Sequence, residues 1–87
     1  MKAAERLSEW GCEDVVIFEN PSYDDALIGV STDGRAVYDY ELMVEWLAVA
    51  WDISHEEAME FIEYNTIRAL PYAGASAPVV VQRFPEQ

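Results

Sequence analysis

Positive charge is scarce in this chain of 87 residues. Five lysines and arginines stand against seventeen aspartates and glutamates, for a formal net charge of −12. Lys2, Arg6, Arg68 and Arg83 lie toward the two ends, and between positions 7 and 67 only Arg35 accompanies fifteen carboxylates. Binding nucleic acid directly requires a basic footprint, and docking on anionic lipid requires positive charge as well, so neither is expected. What the charge favours is a basic protein surface. Cysteine is scarcer still: Cys12 is alone, which excludes an internal disulfide framework and a cysteine-based structural zinc site. It reads as a reduced, buried, small hydrophobe. No apolar run approaches the roughly 18 residues that would suggest a membrane span, and the longest, 77–81, is strand-sized. Met1-Lys2-Ala3-Ala4-Glu5-Arg6 leads into charge, so no secretory signal is expected and the chain is assigned to the cytoplasm.

Catalytic machinery is also missing. His55 is the only histidine, and Ser54 beside it sits at a helix start, where a sequence neighbour cannot be oriented as a nucleophile by that imidazole. His55-Glu56 lacks the second histidine of a zinc-protease motif. Glu56, Glu60 and Glu63 lack the glutamate–histidine pairs of a di-iron bundle, and no calcium-loop pattern occurs. Gly29 and Gly34 fall in a strand and a turn, so no phosphate-cradling loop is present. No enzyme, cofactor or metal is therefore expected.

What the chain does have is a core. Apolar residues make up 52%, including three tryptophans, five tyrosines and three phenylalanines, which suits one folded domain over 1–87. Ala3, Leu7 and Trp10 recur at helical spacing before Gly11, predicting a short opening helix. Val15-Val16-Ile17-Phe18 reads as a strand closed by Asn20-Pro21. Ala26-Leu27-Ile28-Gly29-Val30 and Ala36-Val37-Tyr38 read as two more, joined by the hairpin signal Thr32-Asp33-Gly34-Arg35. A two-residue Asp33-Gly34 turn would set Val30 opposite Val37, both toward the core. Asp39 is the N-cap expected for a helix over Tyr40–Trp51. The capping box Ser54-His55-Glu56-Glu57 opens another, reaching at least position 64, continuing through 67 and ending before Pro71. A loop over 72–77 and a strand over 78–84 follow. The predicted class is α+β: a small, mainly antiparallel sheet of three to four strands with two or three helices packed on one face.

At about 100° per residue, Glu41, Glu45 and Asp52 share one strip of the first long helix, with Ala48 between them. Leu42, Met43, Trp46, Leu47, Val49 and Ala50 cover the other side. On the next helix Glu56, Glu60 and Glu63 lie opposite Ala58, Phe61 and Ile62. Such faces usually pair opposite charges one turn apart. Here the like-charged pairs Glu41/Glu45 and Glu56/Glu60, with Asp52/Glu56 if the two helices nearly abut, each cost about 0.2–0.5 kcal/mol. Helix capping and the helix dipole account for Asp39, Glu41, Glu56 and Glu57, but not for Asp52, Glu60 and Glu63. Two readings stand side by side: the acids serve solubility, or they imitate nucleic-acid phosphates. Carboxylates one turn apart are spaced by about 5–6 Å, close to a phosphate spacing, and arginines bind both. Asp24-Asp25 and Glu13-Asp14 would extend the track. The candidate partner-binding set is Asp24, Asp25, Glu41, Glu45, Asp52, Glu56, Glu60 and Glu63. The first long helix is apolar over more than half its circumference, so Val44 and Trp51 are candidate contacts for a homodimer.

Three stretches carry a resemblance: Glu19-Asn20-Pro21-Ser22-Tyr23-Asp24-Asp25-Ala26, Asp33-Gly34-Arg35-Ala36-Val37-Tyr38-Asp39, and the distinctive Tyr64-Asn65-Thr66-Ile67-Arg68-Ala69-Leu70-Pro71-Tyr72. Together they resemble small acidic proteins carried by phages and integrative elements of Gram-positive, often gut-dwelling, bacteria. The resemblance implies a mobile-element setting in a bacterial host cell, where anti-CRISPR and anti-restriction proteins occur. The expected function is inhibition of a nucleic-acid-binding defence complex by a DNA mimic. The alternative is a non-enzymatic oligomerising module.

Overall fold

The computed structural model describes residues 2–84; Met1, at the head of the opening stretch, and residues 85–87 lie outside it. Local signals fix the helix ends. Helix α1 (Ala3–Glu9) stops at Gly11, whose φ of +74° suits a residue without a Cβ. There the Gly11 N–H donates to the Ser8 carbonyl at 3.0 Å and the Cys12 N–H to that of Leu7 at 2.8 Å, which satisfies the last free carbonyls. Helix α2 (Tyr40–Trp51) begins at Asp39, whose Oδ1 accepts the Leu42 N–H at 3.0 Å. Helix α3 (His55–Phe61) begins with the expected capping box, Ser54 and Glu57 each accepting the other's backbone N–H at 3.1 Å. Beyond α3 the coil widens into a π-helical segment, Ile62–Ile67, and a 3₁₀ turn over Leu70–Ala73 carries Pro71.

The α+β class holds, with three strands. β1 (Leu27–Val30) pairs antiparallel with β2 (Ala36–Asp39), and β3 (Val79–Val81) adds to β2 in parallel after the helices, giving the order β1-β2-β3. A parallel neighbour requires a crossover, and α2 and α3 supply it.

The structure differs from the expected elements in several places. Residues 15–18 form no strand: Val15, Ile17 and Phe18 pack on the core, and the Phe18 N–H donates to the Tyr38 hydroxyl at 3.3 Å. Side-chain anchoring replaces a ladder there, with the Phe18 ring 4.7 Å from Tyr38 and 5.5 Å from Tyr23. The hairpin loop holds three residues, Thr32 to Gly34, with Gly34 at φ +82° and the Ser31 N–H donating to the Arg35 carbonyl at 2.7 Å. The extra residue slips the register, so Val30 meets Ala36 and Gly29 meets Val37, and Val30 is left exposed. The last strand covers only Val79–Val81 of the expected 78–84. Cys12, expected to be buried, is only half-buried, and Trp10 at the end of α1 is 84% exposed.

The core gathers Ala3, Leu7, Tyr23, Leu27, Tyr38, Met43, Leu47 and Ile62 between sheet and helices. Burial raises the pKa of Tyr23 and Tyr38 above 10.0. Asp39 is the buried charge that ties the layers: it ends β2, caps α2, and pairs with Arg83 just past β3.

Candidate partner-binding face

The buried side of α2 decides which acids reach solvent. Tyr40, Met43, Val44, Leu47 and Ala48 face inward, while Val49 is 83% exposed and Ala50 is exposed. The core face is thus rotated by about 100°, one residue position, from the sector expected. The cause is the breadth of apolar residues around this helix: its own pattern does not choose a sector, and packing against α3, β2 and the short turn Asp24–Ala26 does. Val44 is therefore core, which corrects its assignment as an oligomer contact. Trp51 is 44% exposed, its ring edge-on to Phe61 at 4.8 Å.

The carboxylates divide into two kinds. Asp24 is used internally: Oδ1 accepts the Ala3 N–H at 2.9 Å and Oδ2 the Ser22 hydroxyl at 2.9 Å. It caps α1 from 21 residues away, because Lys2 at the cap position has no oxygen in its side chain to offer. Asp52 closes α2 at φ +52°, a left-handed position that aspartate tolerates better than most residues, so its presence has a local reason after all. Asp25 is exposed beside Asp24. By contrast Glu41, Glu45, Glu56, Glu60 and Glu63 all lie exposed on α2, α3 and the π segment that continues α3. Helices α2 and α3 pack against each other, so the structure brings these five onto neighbouring elements.

Among the described residues no ion pair involves them. Among the described residues the ion pairs are Arg35–Asp33 and Arg83–Asp39. Arg6 donates to the Leu27 carbonyl at 2.7 Å and Arg35 to that of Ala77 at 2.8 Å. Arg68 is exposed and lies 5.7 Å over the Tyr64 ring. Arg6, Arg35 and Arg83 are thus engaged in contacts within the fold that involve none of these five glutamates.

Beside the α2 strip runs an open groove of about 480 Å³, lined by Tyr40, Glu41, Val44, Glu45, His55, Met59 and Gln82, with Glu56, Glu60 and Glu63 outside its lining. The Tyr40 hydroxyl donates to Glu63 Oε2 at 3.2 Å, joining the two helical segments. Burial, together with the Glu63 charge, raises the Tyr40 pKa above 10.0. Sequence reasoning missed Tyr40 and Met59. The signal for Met59 was its wheel position on the border between Ile62 and the glutamates. Among the described residues no three His, Cys, Asp or Glu side chains gather as a metal would require, and no helix is long and apolar enough to cross a membrane. Neither family models, curated proteins nor solved structures give a match to this chain.

Proposed function

We propose that this chain is an acidic binding protein of a bacterial host's cytoplasm that occupies the DNA- or RNA-binding surface of a defence complex, as an anti-CRISPR or anti-restriction DNA mimic does. One observation carries the reading: Glu41, Glu45, Glu56, Glu60 and Glu63 stand exposed on adjoining helices with no lysine or arginine between Arg35 and Arg68. Arginines placed to grip phosphates accept carboxylates at similar spacing, and a field of one sign speeds their encounter. The resemblance to mobile-element proteins supplies the setting. The test is Glu56→Gln with Glu60→Gln. Both side chains are exposed, so the fold is expected to stay intact while inhibition of the nucleic-acid-binding target is lost. Inhibition equal to wild type rules the mimic out.

A second reading has an observation of its own. Trp10, Ile28 and Val30 are exposed around the α1/β1 edge, in a lining that includes no carboxylate. Trp51 stays exposed as the expected oligomer contact, and self-association through the α1/β1 edge is a second form of the oligomer reading. It predicts a mass that rises with concentration in sedimentation and falls back to monomer with Ile28→Lys.

A further inference from the structure

The acidic strip of α2 is more than a row of charges, because it borders a groove that is partly apolar. Val44 and Tyr40 floor the groove between α2 and α3, and Met59 reaches into it from α3 while remaining 39% exposed. Glu41 and Glu45 form the α2 wall, and His55 stands on the α3 side. A phosphate backbone has no counterpart to such a floor, so charge imitation alone leaves it without a use. Methionine is flexible and polarizable, suited to contacts that must adapt to a partner.

We infer that this groove seats a basic amphipathic segment of the partner, in which an apolar side chain enters between Tyr40, Val44 and Met59 while arginines or lysines one turn away meet Glu41 and Glu45. The inference rests on the acidic-face reading above and names the chemistry of its partner. Charge decides the occupant. A second copy of this chain brings the same −12, and nucleic acid or anionic lipid is repelled as well. A cationic segment gains attraction on the walls and apolar burial on the floor, the arrangement by which helices dock in grooves.

The probe is a synthetic helical peptide with arginines along two flanking rows and one central leucine, titrated into the full chain carrying methyl-labelled methionine. Met59 reports on the groove, and Met43, fully buried in the core, serves as internal reference. Saturable shifts are expected at the Met59 methyl and the His55 ring with Met43 little changed. Replacing the peptide's leucine by alanine, or making Met59→Ala, is expected to weaken binding about tenfold, the effect of one lost apolar contact. Equal affinity for both peptides, or no shift at Met59, overturns the inference. If Met59→Ala binds like wild type while Glu41→Gln with Glu45→Gln does not, the groove falls and the electrostatic reading stands. If neither variant changes binding, both fall.

Discussion

Two faces of this protein differ in almost every property that governs association. The α2/α3 face carries five exposed glutamates that form no ion pair among the described residues, two of them bordering a groove that is partly apolar. The α1/β1 edge carries Trp10, Ile28 and Val30, and its cavity is lined by Arg6 and no carboxylate. The first suits a charged partner and responds to salt. The second suits an uncharged contact and is the only one of the two at which a second copy escapes strong repulsion. The difference also separates two uses of the same residue type. Asp24 and Asp39 hold the fold through defined hydrogen bonds, whereas Glu41, Glu45, Glu56 and Glu60 hold no part of it through any described side-chain bond.

The largest expected effect comes from erasing the contrast. Changing Glu41, Glu45, Glu56, Glu60 and Glu63 together to Gln should weaken partner binding by roughly a hundredfold, since each lost surface pair is worth up to about 1 kcal/mol. Thermal melts should show stability unchanged or slightly raised, because the repulsive pairs Glu41/Glu45 and Glu56/Glu60 disappear with the charges. The converse variant, Asp24→Ala, should cost about 1–2 kcal/mol in denaturant unfolding through the lost cap of α1, and leave binding as it was. A melt in which Asp24→Ala is neutral would mean the remote cap contributes nothing.

A third effect is set by pH. Tyr23, Tyr38 and Tyr40 have folded-state pKa values raised above the unfolded value of 10.0, chiefly by burial. Their neutral phenols therefore stabilise the fold fully below pH 10.0, and that stabilisation is lost as pH climbs through the raised values. Unfolding followed by tyrosinate absorbance should show it, with the midpoint for loss of structure above that pH. Smallest of all, Trp10→Ser should change stability by no more than about 0.5 kcal/mol and partner binding not at all, because its side chain lies outside the core. A loss of binding in that variant would move the partner site to the β1 edge.

Much of the fold was readable because its signals are local. Gly11, Asp39 and the Ser54/Glu57 box act within a few residues of themselves, and each ends or begins a helix where the sequence placed it. The misreadings share a cause in long-range contacts. Residues 15–18 have the composition of a strand, but Tyr38, twenty residues on from Phe18, takes up the Phe18 N–H. The α2 wheel held too many apolar residues to declare its buried side, and the contact with α3 settled it against Val44 as a surface residue. The same limit applied at the candidate site. The strips of glutamate were legible on each helix separately, while the groove beside the α2 strip depends on how two helices meet and so had no signature in either.

The measurement that bears most directly on the acidic-face reading is a salt-graded pull-down from a lysate of bacteria carrying varied defence systems. Wild type is run beside the variant with Glu41, Glu45, Glu56, Glu60 and Glu63 changed to Gln, and duplex DNA is added as competitor. The expected result is that wild type alone captures a nucleic-acid-binding complex, which moderate salt or excess DNA releases. Equal capture by the variant, or a captured complex that DNA does not displace, would contradict it.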